Sequence, residues 1–167
     1  MHDELTQTDL EKMQEELDLR RRTTRPMLLE AVKEARAFGD LSENFEYKAA
    51  KREKNQNESR IRYLENMIKT AVVIQDTSGA EEIGLFDKVT VSFEEDDETE
   101  VFQIVTTLRQ DSLHGLISKE SPVGNALMGR KAGDRVMVKV SDTYSYPLMI
   151  LAVEKGKDDG SIPISPF

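Results

Sequence analysis

The sequence lacks cysteine and tryptophan, and it has no apolar run of the roughly 18 residues that a membrane-spanning helix needs. The absence of cysteine excludes disulfides and suits a reducing compartment. A charged N-terminal segment followed by an apolar stretch and a cleavage site is also missing. We therefore expect a soluble, cytoplasmic protein that does not associate with membranes.

Charge is distributed unevenly along the 167 residues. The formal net charge of −9 argues against nucleic-acid binding by the whole surface. Residues 1–75 nevertheless hold fifteen acidic and fourteen basic residues, whereas residues 76–167 hold seventeen and nine. The basic residues of the first segment form two blocks, namely Arg20, Arg21, Arg22 and Arg25, and then Lys48, Lys51, Arg52, Lys54, Arg60 and Arg62. These blocks are either solvated helix faces or contacts for a polyanion.

Apolar spacing in the first segment predicts a helical hairpin. From Tyr47 to Ala71, small and apolar residues recur at alternating intervals of three and four, as in a coiled-coil seam. Polar positions of the two arms fall opposite each other, with Thr24 facing Asn57, only if the chain turns back near residues 40–43. This matching favours an intramolecular antiparallel pair, and hence a monomer, over helices that dimerise. Pro26 predicts a kink or a helix restart, with Thr23 or Thr24 as the cap.

The period changes after Ala71, where short segments with two-residue alternation, such as Lys88–Phe93, predict strands. The acidic run Glu94–Glu98 predicts a charged hairpin loop between two of them rather than a cation site, because it has no fixed ligand spacing. Between the fourth and fifth of these strands, Ser121 is suited to cap a short helix, Pro122 to occupy its first position and Gly129 to end it. The fold class is therefore α+β. We expect a hairpin domain at 1–75, a small antiparallel sheet domain with one short helix at 78–158, and a loose tail at 159–167.

The turn between the two predicted helices is acidic. Its sequence runs Gly39-Asp40-Leu41-Ser42-Glu43-Asn44, and Glu46 follows in the next helix. Asp40 or Ser42 with Glu43 is a pattern typical of a helix N-terminus, where a short side chain caps and a glutamate complements the dipole. The same carboxylates are also suited to bind a hard cation such as Mg²⁺. Spacing alone leaves both interpretations open.

Two segments carry a resemblance to a known family. The tip sequence from Ala35 to Lys51 resembles the signature of bacterial Gre-type transcript cleavage factors, closest to the GreA branch. The later stretch from Ile117 to Gly129, followed by Gly133-Asp134-Arg135-Val136, resembles the C-terminal signature of the same family. The resemblance implies an N-terminal antiparallel coiled coil and an FKBP-like C-terminal domain.

The resemblance also implies a function in transcription. Such factors dock on bacterial RNA polymerase at its secondary channel, with Ser121 and Pro122 as our candidate docking residues here. Their coiled coil reaches the polymerase active site and stimulates cleavage of the backtracked RNA 3′ end. The protein would then be no enzyme by itself, but a stimulator of the polymerase's own hydrolytic activity.

Residue by residue, the resemblance assigns the catalytic acids to Asp40 and Glu43. They would help to hold a second Mg²⁺ that is shared with the polymerase, and only in that composite site. The tip-supporting residues are then Glu46, Tyr47 and Asn44. We add three candidate contacts to the nascent RNA, and these are Lys48, Lys51 and Arg52.

Three other functions stay open at this point. A channel-binding regulator or inhibitor of polymerase without cleavage activity would share the same scaffold. An FKBP-like domain suggests a prolyl isomerase, although this half shows no tryptophan and no evident aromatic pocket. A purely structural coiled coil is the last alternative.

Overall fold

The computed structural model describes residues 3–39 and 44–165, which form two compact units. The hairpin unit comprises Leu10–Ala71. The sheet unit combines Asp3–Asp9 with the residues from Val72 onward. The sequence-based boundary at residue 75 places Asp3–Asp9 with the hairpin, whereas the structure joins this segment to the sheet unit. There β1 (Glu4–Leu5) pairs in parallel with β2 (Val72–Val73).

Two helical arms form the hairpin unit, as predicted. The outgoing arm contains α1 (Gln7–Leu19), a π-helical turn (Arg20–Thr24) and α2 (Arg25–Arg36), and the return arm is α3 (Phe45–Thr70). The 26 residues of α3 extend about 39 Å at the usual helical rise. Buried apolar residues on the predicted seam are Met13, Leu17, Ala35, Ile61 and Leu64. At the end of the return arm, Met67 is buried in place of the predicted Ile68, which is only half-buried.

A π-helical turn precedes Pro26 and keeps the outgoing arm continuous. The Arg25 amide donates to the carbonyl of Arg20, five residues earlier, and the Thr24 side chain makes no capping hydrogen bond. Proline lacks an amide donor and crowds the carbonyl four residues before it, so a widened turn relieves both problems. The expected cap and restart at Thr23 or Thr24 are therefore replaced by a local bulge.

A polar layer crosses the hairpin between its two arms. The Glu16 carboxylate receives two hydrogen bonds from Arg60, at 2.7 and 3.1 Å, and one from Arg20 at 2.8 Å. Arg20 also donates to the Asn57 side-chain oxygen at 2.8 Å. Asn57 and Arg60 are almost fully buried. Arg20, rather than the predicted Thr24, is thus the partner of Asn57, and its fork-shaped group fixes the register of the arms.

The polar layer makes the hairpin sensitive to acid. Burial raises the pKa of the Glu16 carboxyl, but hydrogen bonds from Arg60 and Arg20 outweigh it and leave the pKa below its ordinary value. Because the folded pKa is the lower one, this stabilisation is complete above the unfolded pKa of about 4.3 and is lost as pH falls through the folded pKa. We expect Glu16→Gln to lower the stability of the hairpin by about 1–2 kcal/mol at neutral pH and to weaken its acid dependence.

Acid titrations of the wild type and Glu16→Gln, followed by far-ultraviolet circular dichroism, measure this difference. Glu15→Gln is the matched control, because Glu15 is an exposed neighbour on the same helix. Identical acid transitions for all three proteins would contradict the role assigned to Glu16.

The sheet unit contains a five-stranded sheet in the order β5-β4-β3-β7-β6. Its strands are β3 (Lys88–Phe93), β4 (Glu98–Val105), β5 (Leu116–Ser118), β6 (Arg135–Lys139) and β7 (Ser145–Glu154). Most neighbours are antiparallel, but β4 and β5 run parallel. The predicted antiparallel sheet is thus a mixed one. The acidic run beginning at Glu94 forms the tight β3–β4 hairpin turn, as expected.

A short helix packs beside this sheet, as the sequence predicts. Helix α4 spans Pro122–Leu127, and Leu127 is fully buried in the core. Gly124 permits this close packing, since a Cβ atom there would lie 2.0 Å from the carbonyl oxygen of Ser118. Buried core residues alternate along two of the strands, with Val89 and Val91 on β3 and Leu148 and Ile150 on β7, whereas the adjacent Ile104 and Val105 are both buried at the end of β4.

A buried ion cluster ties the two ends of the chain to the sheet unit. Arg109 lies in a 3₁₀ turn after β4 and donates to Asp9 and to Asp158, each at 2.6 Å. The side chains of Arg109 and Asp9 are completely buried, and the guanidinium lies 5.2 Å from the centre of the Phe86 ring. The packing of three segments that are far apart in sequence, around Asp9, Arg109 and Asp158, therefore depends on the positive charge of Arg109.

The C-terminal segment is also held in place beyond Asp158. Ile162 packs against the core, and Ser165 donates to the carbonyl oxygens of Leu108 and Gln110. The tail predicted to be loose is thus packed on the sheet unit as far as residue 165. Within residues 3–39 and 44–165, no helix is both long and apolar enough to cross a membrane.

Candidate functional site

The tip of the hairpin holds the residues that the sequence marks for chemistry. Asp40 and Glu43, the predicted catalytic and metal-binding acids, lie outside the described residues. The structure describes both ends of the turn that carries them. Gly39 has a φ of +118°, a conformation that favours glycine, and Asn44 begins the return arm. The two acids thus belong to a short connection whose ends are fixed.

Asn44 joins the two arms at the base of the turn. Its side-chain oxygen accepts from the Tyr47 amide at 3.0 Å and so caps α3. Its side-chain nitrogen donates to the Ala35 carbonyl, at the end of α2, at 2.7 Å. One amide therefore serves as a helix cap and as a clamp across the hairpin. Among the residues that the structure describes, Asn44 is the one that caps α3.

Separate substitutions distinguish the two roles of Asn44. Asn44→Asp keeps the capping oxygen but loses the donor to Ala35, whereas Asn44→Ala loses both. We expect the alanine variant to lose about 1 kcal/mol of stability and the aspartate variant to lose less. Guanidinium unfolding measures these losses, and equal destabilisation by both variants would contradict a capping role.

Tyr47 and Glu46 occupy the first turn of α3. The Arg36 guanidinium lies 5.5 Å from the centre of the Tyr47 ring and donates weakly to its hydroxyl at 3.4 Å. This hydrogen bond holds the pKa of the half-buried Tyr47 phenol below its ordinary value. Glu46 is exposed near the positive end of the helix dipole, where a carboxylate is favourable. Both residues lie in the first turn of α3 beside the tip, and their supporting role stays a prediction.

The predicted RNA contacts share one face of α3. Lys48, Lys51 and Arg52 line a shallow surface groove of about 440 Å³, together with Asn55, Gln56 and Ser59. Within residues 3–39 and 44–165, neither Lys51 nor Arg52 forms an ion pair. The groove thus presents basic groups and amides that are able to contact a polyanion.

Several arginines farther from the tip form ion pairs with carboxylates of the hairpin. Arg20 and Arg60 are held by Glu16, Arg25 by Glu58 and Arg21 by Glu65. Their charges are neutralised by carboxylates of the hairpin itself. These four arginines thus stabilise the arms, whereas Lys51 and Arg52 near the tip form no ion pair with any residue that the structure describes.

Ser121 and Pro122 form the start of α4 in the sheet unit. The Ser121 hydroxyl accepts from the Gly124 amide at 3.1 Å and donates to the Ser118 carbonyl at 2.6 Å, and Pro122 occupies the first turn. The predicted helix-start role of Ser121 is confirmed. Pro122 is exposed, so its ring is available to a partner.

Sequence reasoning missed the clamp made by Asn44 and the ion cluster around Arg109. An asparagine directly before a helical run is a known capping signal, so the cap itself was detectable. The bond to Ala35 and the contacts of Arg109 join residues far apart in sequence, and no local pattern marks them. Among the residues that the structure describes, no group of three or more potential metal ligands gathers.

Comparisons with known proteins agree over nearly the whole chain. A family model described as "Transcription elongation factor, N-terminal" matches residues 4–73, and one described as "Transcription elongation factor, GreA/GreB, C-term" matches residues 76–155. Transcription elongation factor GreA of Staphylococcus saprophyticus is 42% identical over 90% of this chain and 95% of that protein.

Two further matches extend the comparison. GreA of Oenococcus oeni is 39% identical over 92% of this chain and 95% of its own length. A solved structure of the transcription factor Gfh1 aligns with 92% of this chain and 97% of that one, at 26% identity and a TM-score of 0.46, too low a score to support an argument. By its sequence, the chain belongs to the GreA/GreB family of transcription elongation factors.

Proposed function

We propose that this protein binds RNA polymerase at its secondary channel and stimulates the polymerase to cleave the 3′ end of backtracked RNA. The observation that carries the proposal is the hairpin tip, where Asn44 clamps the two arms on either side of the turn that bears Asp40 and Glu43. A long α3 of 26 residues allows this turn to enter a narrow channel.

Asp40 and Glu43 are the groups we assign to the chemistry. Their carboxylate oxygens are the ligands that Mg²⁺ prefers, and two carboxylates are the number it commonly takes alongside phosphate oxygens and water. When bound, Mg²⁺ activates a water molecule and stabilises the leaving oxygen in phosphodiester hydrolysis. The tip residues hold the ion only together with the polymerase and its RNA, since two solvated carboxylates bind it weakly by themselves.

The protein alone is therefore not an enzyme in this proposal. It supplies acidic groups to a catalytic centre whose other ligands belong to the polymerase. The isolated protein is accordingly expected to leave single-stranded RNA intact in the presence of Mg²⁺.

Lys48, Lys51 and Arg52 bind the phosphates of the displaced RNA 3′ segment in this proposal. Their lack of ion-pair partners within the described residues supports the assignment, because no carboxylate has to be displaced when RNA binds. Such contacts weaken as the salt concentration rises.

The sheet unit is the proposed docking domain. Ser121 fixes the start of α4, and the exposed Pro122 presents a rigid apolar surface beside it. The protein acts as a monomer, because the apolar seams of its two helical arms cover each other within one chain. Its proposed location is the cytoplasm.

A regulator that enters the channel without promoting cleavage is the second candidate. The scaffold is equally suited to it, and the acidic tip is the feature that favours cleavage. The two functions make opposite predictions for a halted elongation complex.

The test adds purified protein to stalled elongation complexes with Mg²⁺ and follows the length of a labelled transcript. Transcript shortening, followed by renewed elongation when nucleotides are supplied, supports the proposal. Slower elongation with a transcript of unchanged length supports the regulator instead.

A further inference from the structure

Two phenylalanine rings stand exposed on either side of the acidic turn. Phe38 lies just before Gly39 and is 75% exposed, and Phe45 begins α3 and is 81% exposed. Exposing a ring of this size forgoes the burial that normally stabilises a phenylalanine. Apolar groups this exposed, placed at the end of a hairpin, indicate a binding surface rather than a part of the core.

Cations accompany the aromatic rings at the tip. The Lys48 ammonium lies 5.7 Å from the centre of the Phe45 ring, and Arg36 lies 5.5 Å from that of Tyr47. Lys48 also lines the groove that continues along α3 past Lys51. The surface thus combines an exposed π face with a row of positive charge.

This combination is the one that proteins use to bind single-stranded nucleic acid. Bases stack on aromatic side chains while neighbouring cations contact the phosphates. An apolar protein surface could cover these rings, but it would leave the adjacent lysines, which form no ion pair within residues 3–39 and 44–165, without anionic partners. The charge favours RNA as the occupant.

We infer that Phe45, supported by Phe38, is a stacking platform for an unpaired base at the RNA 3′ end. The platform deepens the proposed function and rests on it. The ring holds the base while Lys48 and Lys51 contact the phosphates, and the extruded strand is thereby positioned beside the acidic turn. The contact depends on the π face of the ring and is indifferent to which base it meets.

The first test measures binding directly, with the full-length protein at low salt. A short single-stranded RNA that carries 2-aminopurine at its 3′ end loses fluorescence when that base stacks. We expect wild type and Phe45→Trp to quench the probe and Phe45→Leu to bind it about ten-fold more weakly. Tyr63→Leu is the matched control, since Tyr63 is an exposed aromatic residue on α3 away from the tip. Equal quenching by wild type and Phe45→Leu would overturn the inference.

The second test measures cleavage in stalled complexes whose RNA ends either in a normal nucleotide or in an abasic one. We expect Phe45→Leu to require about ten-fold more protein for half-maximal cleavage of the normal RNA and to match wild type on the abasic RNA. The same loss on both RNAs would indicate that the ring packs against protein, and no loss on either would indicate that it makes no contact that matters for cleavage. Each of these results would overturn the inference.

The two tests separate this inference from the proposed function. If wild type quenches the probe but stimulates no cleavage, the proposed function fails while the stacking platform stands. If wild type stimulates cleavage and the leucine variant behaves identically in both tests, the platform fails while the proposed function stands.

Discussion

Asp40→Asn and Glu43→Gln are each expected to reduce transcript cleavage in stalled elongation complexes by about 100-fold or more. Each change replaces a charged ligand by an amide of nearly the same shape. The positive charge of Mg²⁺ is then less well compensated, and the ion is held too weakly to support hydrolysis. The measurement is the single-turnover rate of transcript shortening at a saturating concentration of the factor.

Controls identify the cause of that loss. Neither substitution touches the cap of α3, which Asn44 supplies, so the helical content is expected to stay unchanged. Glu46→Gln is the matched control, because it neutralises a nearby acid that we assign only a supporting role. Competition with the wild-type factor measures whether the variants still bind the polymerase. Cleavage that survives both amide substitutions would refute the assignment of the acids.

Arg109→Met is expected to destabilise the sheet unit by about 3–5 kcal/mol. Methionine fills much of the same volume but leaves Asp9 and Asp158 without the cation that both contact at 2.6 Å. A buried carboxylate without a partner is far more costly than a lost surface ion pair. Hydrogen exchange of the β3 and β7 amides measures the loss within the sheet unit itself.

The loss of stability caused by Arg109→Met is expected to depend on pH. Burial raises the pKa of the Asp158 carboxyl, but the hydrogen bonds from Arg109 and the Gly160 amide, together with the charge of Arg109, outweigh it and leave the pKa below its ordinary value. In the wild type, this stabilisation is present above the unfolded pKa of about 3.9 and is lost as pH falls through the folded pKa. In Arg109→Met this contribution of Asp158 is already lost, so the difference in unfolding free energy between variant and wild type becomes smaller in acid.

An exposed ion pair provides the comparison for Arg109. Lys139 and Asp142 lie 3.6 Å apart on the surface, and the Asp142 side chain is almost fully exposed. Asp142→Asn is expected to leave the exchange rates nearly unchanged. A similarly small effect of Arg109→Met would contradict the role of the buried cluster.

Local patterns predicted the elements of the fold well. The spacing of Ile61, Leu64 and their neighbours identified the seam of the hairpin, because one face of a helix must bury its apolar side chains. The alternation in Lys88–Phe93 identified β3 with its observed bounds. Ser121 and Pro122 marked the start of α4, since capping chemistry depends on adjacent residues.

Features that depend on distant partners were not predictable in this way. A two-residue alternation does not encode strand direction, so the parallel pairing of β4 with β5 was missed. The contact of Arg109 with Asp9 spans 100 residues, and nothing near either residue indicates it. Before Pro26 the sequence is compatible with either a widened π-helical turn or a capped restart of the helix. The structure contains the π-helical turn.

The candidate site was predictable only in part, because some of its contacts join residues that are far apart in sequence. The sequence predicts the tip and its supporting residues, and the structure adds that Asn44 caps α3 and clamps the hairpin. The structure also separates unpaired Lys51 and Arg52 from the paired arginines of the arms, a distinction that sequence alone could not make. The catalytic role of Asp40 and Glu43 stays a prediction.

The Mg²⁺ dependence of cleavage tests the central claim most directly. Rates of transcript shortening are measured in stalled complexes across a range of Mg²⁺ concentrations, without the factor, with wild type and with Asp40→Asn. Our account predicts that wild type lowers the Mg²⁺ concentration for half-maximal cleavage, and that the variant does so far less. An unchanged Mg²⁺ requirement with an accelerated rate would contradict it, since the tip would then act without helping to hold the ion.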